Sequence, residues 1–403
     1  MNRTRWVFHY LFTLFLTIPP AIFMLATPLK IKSLGGTEMQ AGQTGTAFSI
    51  TFAIVAIFAG ILSDKLGRKT TMAAGILITV VPCLFMLSTT SIGMMILGVV
   101  LFGIGNATVI PTTEAWVADR ASGPISREMM AFNLGWSSGW AIGYAITGFM
   151  TEHGYVTSYL TAAGISFALA MVVLGTKSHI DTKEIPVMPN ADALNELIDQ
   201  ASIIEAKGRL YSVWIANMAL FFSWAIVVWL FPGQAEDLGL PHKTIGLLMS
   251  LVLWIQMVLF FVLSFFSEWH LSLAVRAGFQ IAAILGFLML AVPLAFTSLS
   301  TTLVTSLFAA GLLFFGLGKG GVYSASLIVS VEDEKSRGSK AGTNETLLGA
   351  GTVFGPIVAG YTAIQVGQWS IYFLSILVVL ISMAIQLKIR HSVRKKVDQL
   401  TPE

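Results

Sequence analysis

The sequence predicts an all-α membrane protein of twelve transmembrane helices, arranged as two pseudo-symmetric six-helix bundles. Three observations point there. Of the 403 residues, 55% are hydrophobic and only 11% charged, against roughly 25% charged in soluble domains. Apolar runs of about 20 residues, the length of a helical span, recur twelve times, six on each side of one long polar gap. Finally, the basic residues collect almost entirely in every second loop. The net charge of +3, with bases scattered at segment ends, argues against nucleic-acid binding. Cys83 is the single cysteine, which excludes an intramolecular disulfide and a cysteine-based metal cluster.

In chain order the apolar runs place spans near 7–29, 44–63, 71–89, 92–117, 129–150 and 156–175, then 210–231, 244–267, 272–295, 302–330, 342–365 and 370–389. The first follows Met1–Arg5 and imitates a signal peptide, but Trp6 to Pro28 is too long for an h-region and lacks an A-x-A site. The gap holds Asp181, Lys183, Glu184, Pro186, Pro189 and Asn190, followed by helical periodicity over 191–207. This reads as a linker ending in an amphipathic helix on the membrane surface. The expected division is therefore residues 1–176, an N-terminal bundle; 177–209, a cytoplasmic linker; and 210–403, a C-terminal bundle.

With the amino terminus cytoplasmic, twenty of the 24 Lys and Arg residues fall on the inside; Lys30, Lys32 and Lys243 fall outside, and Lys319 lies within a span. This asymmetry is the positive-inside pattern, so both termini are expected in the cytoplasm of a multi-pass plasma (inner) membrane protein. The halves also echo each other. Gly103-Ile-Gly105 in span 4 corresponds to Gly316-Leu-Gly318 in span 10, and Glu268 after span 8 corresponds to Asp64 after span 2.

Between spans 2 and 3, residues 60–69 read G-I-L-S-D-K-L-G-R-K. This resembles the signature of the major facilitator superfamily, G-x-L-[A/S]-D-[R/K]-x-G-R-[R/K], at Gly60, Leu62, Ser63, Asp64, Lys65, Gly67, Arg68 and Lys69. The resemblance implies two bundles that rock about a central cavity lined by helices 1, 4, 7 and 10, with inverted three-helix repeats nested in each half. It also implies that Asp64 faces the start of helix 11 and that Arg68 pairs with the acid ending helix 4, here Asp119. Glu114, Arg127 and Glu345 are expected in the same gating cluster. Small residues recur every fourth position in span 5 (Gly135, Gly139, Gly143) and span 11 (Gly351, Gly355, Ala359), stripes along which helices approach closely. The chain departs from the family's antiporter signature: its proline is replaced by Tyr144, and its span-4 arginine falls on Val99. Both departures argue against drug/proton antiport.

Lys319 lies 13 residues before Glu332, ~20 Å along a helix and so past the midplane of a ~30 Å core. Intramembrane charges are costly and mark substrate or ion pathways. Lys319 is thus expected to meet an anionic group of a substrate, the alternatives being a lysine tied to carbonyls in a broken helix or one snorkelling outward. The surrounding glycines are not a P-loop, because no Ser or Thr follows the lysine. The candidate cavity walls are Asn106, Trp136, Trp140, Tyr144, Asn217, Trp224, Trp254, Gln256 and Tyr323.

The resulting expectation is a transporter of a small organic solute, anionic or zwitterionic, working by alternating access. Efflux of hydrophobic drugs, or a non-transporting receptor or assembly factor on the same scaffold, are the alternatives. A monomer in the lipid bilayer is expected, without a cofactor or metal, and with proton or sodium as the candidate coupling ions. The six histidines lie at span ends or in loops, so no nucleophile–base constellation points to an enzyme.

Overall fold

The computed structural model describes residues 3–119, 125–176, 196–266, 268–296, 298–331 and 337–400. Within them the chain forms twelve α-helices: α1 (Arg3–Ser33), α2 (Glu38–Leu66), α3 (Arg68–Ser88), α4 (Ile92–Asp119), α5 (Ile125–Thr151), α6 (Tyr155–Gly175), α7 (Glu196–Asp237), α8 (His242–Leu263), α9 (Leu273–Ala295), α10 (Thr301–Val331), α11 (Arg337–Val366) and α12 (Ser370–Leu400). Eleven are long and apolar enough to cross a membrane. The remaining one, α5, is diluted by Gly135, Ser137, Ser138 and Gly139, small residues turned towards neighbouring helices.

Helices α1–α6 form one half and α7–α12 the other. Leu16–Ile31 of α1 and Ser223–Pro232 of α7 are buried without interruption, because both helices run through the middle of the molecule and are apolar on every side. The paired glycines explain the echo between halves. A Cβ on Gly103 would lie 3.2 Å from Thr51 of α2, and one on Gly105 2.6 Å from Thr79 of α3. In α10, Gly316 meets α8 at Val252, and Gly318 meets α9 at 2.6 Å from Ala283 Cβ. Each pair seats two neighbours that any side chain would push away. The four-residue stripes work alike: Gly135, Gly139 and Gly143 lie on α1, and Gly351 and Gly355 on α7.

Two sequence expectations change. The periodic segment at 191–207 is no separate surface helix: from Glu196 it runs unbroken into the seventh span, and Gly208 lies against Val393 of α12. No proline interrupts the chain there, and the single glycine sits where the neighbouring valine closes on it. Residues 177–195 lie outside the described residues. Arg276, counted with the loop bases, is buried in the first turn of α9, where it donates to Gln386 Oε1 at 3.0 Å and Ser212 Oγ at 2.9 Å.

The halves meet asymmetrically. We call the side where α1 begins and α12 ends the terminal face, and the other the far face. At the far face, Gly42 and Gly45 of α2 abut Pro356 of α11, and Gly148 of α5 touches Gly246 of α8 backbone to backbone. The far half of α2 is accordingly buried at Ala41, Gly42, Thr44, Gly45, Thr46 and Ser49, whereas Ile54, Ile57, Phe58, Ile61 and Leu62 are exposed. Likewise α8 is buried as far as Gln256, and no residue of 257–266 is. The molecule is closed at the far face and splayed at the terminal face.

Candidate functional site

Lys319 is fully buried. Its place in α10, Thr301–Val331, is ~18 Å from the terminal-face end and ~27 Å from the other. Along the helix itself the lysine stands near the middle, three residues to the terminal side of its centre at Gly316. The helix is unbroken and the side chain does not reach a boundary, which removes the broken-helix and snorkelling alternatives. Instead, Nζ donates to Gln256 Oε1 at 2.6 Å. It lies 4.7 Å from the ring centroid of Trp224, 5.0 Å from Phe221, and 5.9 Å from both Trp136 and Tyr323. None of the ion pairs among the described residues includes Lys319.

This arrangement joins the halves. Gln256 Nε2 of α8 donates to Ser137 Oγ of α5 at 3.3 Å, so a polar path runs from α10 through α8 into the other half. On α5, Trp136, Trp140 and Tyr144 recur every fourth residue and stand on one face. Their rings are 5.7 Å and 5.5 Å apart, and Tyr144 reaches Trp224 at 6.5 Å. The groups around Lys319 therefore come from α5, α7, α8 and α10, while α1 and α4 pack on each other through Phe23 and Phe102, stacked at 3.9 Å.

Of the cavity candidates, Trp136, Trp224, Gln256 and Tyr323 surround Lys319, and Trp140 and Tyr144 continue from them ring to ring along α5; three stand apart. Trp254 is 36% exposed, because two residues of helix turn it ~200° from Gln256. Asn217 donates to Asn344 Oδ1 at 3.4 Å, which also accepts from Ser326, a separate cluster a turn or more towards the terminal face. Asn106 is buried on α4, outside the four site-building helices. Phe221 was missed, although it precedes Trp224 by three residues on the same face of α7.

At the terminal face, Gly67 links α2 to α3 with φ +89°, a conformation that favours glycine. The turn returns Arg68, at the start of α3, onto the end of α2: the guanidinium contacts Asp64 and Ser63 and pairs with Asp119 of α4 at 3.0 Å. Lys69 donates to the carbonyl of Thr176 at the end of α6, where a cation complements the helix dipole. Glu114 is half-buried on α4; the side chains of Arg127 and Glu345 lie outside the described residues. In the second half, Glu268 takes φ 59° at the corresponding turn, with no glycine and no basic arm following.

The far face carries a cluster that the sequence did not single out. Lys32 of α1 pairs with Asp237 of α7 at 2.7 Å and Glu38 of α2 at 3.6 Å. Gln368, between α11 and α12, donates to Glu38 and Asp237 at 2.9 and 2.8 Å. These groups are half-buried and bind one half to the other. Exchanging the charges, Lys32→Asp with Asp237→Lys, is expected to recover most of the flux that either change alone removes, with a coupling of about 1 kcal/mol in a double-mutant cycle.

The model of the Major Facilitator Superfamily matches residues 10–208 and 213–401. The chain is 29% identical to the quinolone resistance protein NorA of Staphylococcus aureus (strain MRSA252) over 182 residues, 43% of this chain; the match spans 45% of that relative, under half its length. It is 24% identical to multidrug resistance protein 2 of Bacillus subtilis (strain 168) over 372 residues, 89% of each. Among solved structures, a bacterial homologue of the human lysosomal transporter Spinster, inward-facing and unoccupied, superimposes with a TM-score of 0.73 at 12% identity over 98% of this chain and 99% of that one. A point mutant of the nucleoside transporter NupG gives 0.69 at 14% identity over 96% and 99%.

Proposed function

Because this chain belongs to the major facilitator superfamily, we propose that it carries a small organic anion or zwitterion across the plasma membrane by alternating access to the Lys319 site. One observation carries the reading: a buried lysine with no carboxylate in any described ion pair, at mid-depth, between the two halves. Burying an ammonium costs several kcal/mol, and a desolvated cation–π contact returns about 2. A substrate anion supplies the missing charge. In this reading the terminal face is cytoplasmic, as the distribution of bases implies, and the structure corresponds to an inward-open state of a rocking monomer.

The turn at Asp64, Arg68 and Asp119 then serves the opposite state. Thr46 and Ala53 of α2 touch α11 at Val353 and Gly349. Gly60 continues that seven-residue stripe, yet a Cβ on it would meet nothing within 4 Å. When the terminal face closes, Gly60 would seat the next turn of α11 and bring Asp64 towards that helix's N-terminus, where an acid is favoured. Asp64 is 65% exposed here, so Asp64→Asn is expected to change stability by less than about 1 kcal/mol while lowering flux several-fold at normal surface expression. Wild-type flux in that variant would refute the latch.

A second reading is favoured by the aromatic walls and by relatives named for drug resistance: export of hydrophobic drugs, with Lys319 structural. Flux in proteoliposomes separates the two readings, since only the first requires an anion and only the second tolerates loss of the lysine. Failure of every solute to move would favour a non-transporting receptor. Imposed proton or sodium gradients in the same vesicles identify the coupling ion.

A further inference from the structure

Trp140 Nε1 and Tyr144 Oη are both buried, and neither has a hydrogen-bond partner among the described residues. Such orphans are uncommon in folded proteins, where buried polar groups are paired, and each left unpaired is destabilising. These two stand together on α5, one helical turn apart, about 6 Å along the axis. They are also tied to Lys319 by shared rings. Trp136 lies 5.9 Å from Lys319 Nζ and 5.7 Å from the ring of Trp140. Trp224 lies 4.7 Å from Nζ and 6.5 Å from the ring of Tyr144. One indole from each half therefore connects a cation at one end to two unused donors at the other.

The chemistry of this set is one-sided. Lys319 and Trp140 can only donate, and Tyr144 has a proton to give. Gln256 already spends its oxygen on Lys319 and its amide nitrogen on Ser137. A ligand complementary to these groups is rich in acceptors, negatively charged at one end, and flat enough to stack on indole rings. We infer that the substrate is an aromatic carboxylate with a second acceptor, such as a ketone, on the far side of its ring: the carboxylate on Lys319, the ring against Trp136 and Trp224, and the second acceptor on Trp140 and Tyr144. This rests on the reading of Lys319 as a substrate ligand and adds the two α5 donors as specificity determinants.

Two probes of nearly the same shape test it: 4-benzoylbenzoate, with a ketone between its rings, and 4-benzylbenzoate, with a methylene there. Titrated calorimetrically into the purified full-length protein, the ketone is expected to bind about tenfold tighter, the worth of one to two buried hydrogen bonds. The double replacement Trp140→Phe with Tyr144→Phe removes both donors, keeps an aromatic ring at each position, and should bring the two probes to equal affinity; retained binding of 4-benzylbenzoate, weakened only by the smaller ring at position 140, reports that the variant is folded. Lys319→Gln should weaken both probes alike. Equal affinities in the wild-type protein, or a preference that survives the double replacement, overturn the inference and leave the anion reading standing. Failure of both probes to bind the wild type, or binding indifferent to Lys319→Gln, overturns the anion reading itself.

Discussion

Lys319→Met is expected to cut transport of an anionic substrate ten- to hundredfold and to raise the melting temperature of the purified protein. The two effects have one cause. In the resting protein the ammonium is fully buried, with one amide oxygen and four aromatic rings for company. Those contacts return less than the desolvation they accompany, so an apolar residue of similar length is better tolerated by the fold. Methionine is such a residue: unbranched, and adaptable in an aromatic setting. A charge-assisted hydrogen bond to a carboxylate is worth about 1.5–3 kcal/mol, so flux measured as kcat/KM should fall ten- to hundredfold. A stability gain with loss of function is the signature of a residue kept for its chemistry. A fall in melting temperature with unchanged flux would assign Lys319 to the scaffold and favour export of hydrophobic solutes.

Gly246→Val is expected to hold the far face open and to stop the cycle. A Cβ on Gly246 would lie 2.5 Å from Tyr144 O and 2.8 Å from Gly148 Cα. Both neighbours are backbone, so no rotamer change relieves the clash, and α5 and α8 must part. Overpacking of this kind costs about 1–3 kcal/mol, a five- to hundredfold shift against far-face closure. The clash vanishes when the halves separate there, so the protein should still fold and reach the membrane. A cysteine at Ser49, buried in the far-face half of α2, reports the state; the native Cys83 is buried and stays silent. Labelling by a membrane-impermeant maleimide should rise several-fold in the valine variant while flux falls at least tenfold. Unchanged labelling would show that α5 and α8 do not set the closure.

Much of the fold was legible because the determinants are local. Span positions follow from apolar runs, and the observed helices overlap every one of the twelve expected spans. The G-x-G pairs and four-residue glycine stripes read correctly as close-packing surfaces, since a missing side chain announces the approach of a neighbour. Arg68 and Asp119 could be matched through the family signature, although 51 residues separate them. The site was legible only in part. Lys319 stood out because a charge in an apolar run needs a reason, and the Trp136–Trp140–Tyr144 row because its spacing is helical. Trp254 had the right composition on the wrong face, and Asn217 on the right face at the wrong depth. The far-face cluster of Lys32, Glu38, Asp237 and Gln368 gave no signal, as each residue looks like an ordinary helix end.

By itself, then, the sequence determined that the chain is a twelve-span transporter scaffold with one charge placed where lipid forbids it without cause. Lipid imposes that legibility: each span must satisfy its own backbone hydrogen bonds and present a continuous apolar surface, so the rules act within ~20 residues at a time. The tertiary structure alone decided what surrounds the charge. Gln256 is 63 residues from Lys319 and Ser137 another 119 away, and helices that could rotate about their axes without changing their hydropathy turn these few side chains inward. The same packing decided that the far face is shut and the terminal face splayed, because glycine stripes permit close approach on either side and only the three-dimensional contacts choose which one is made.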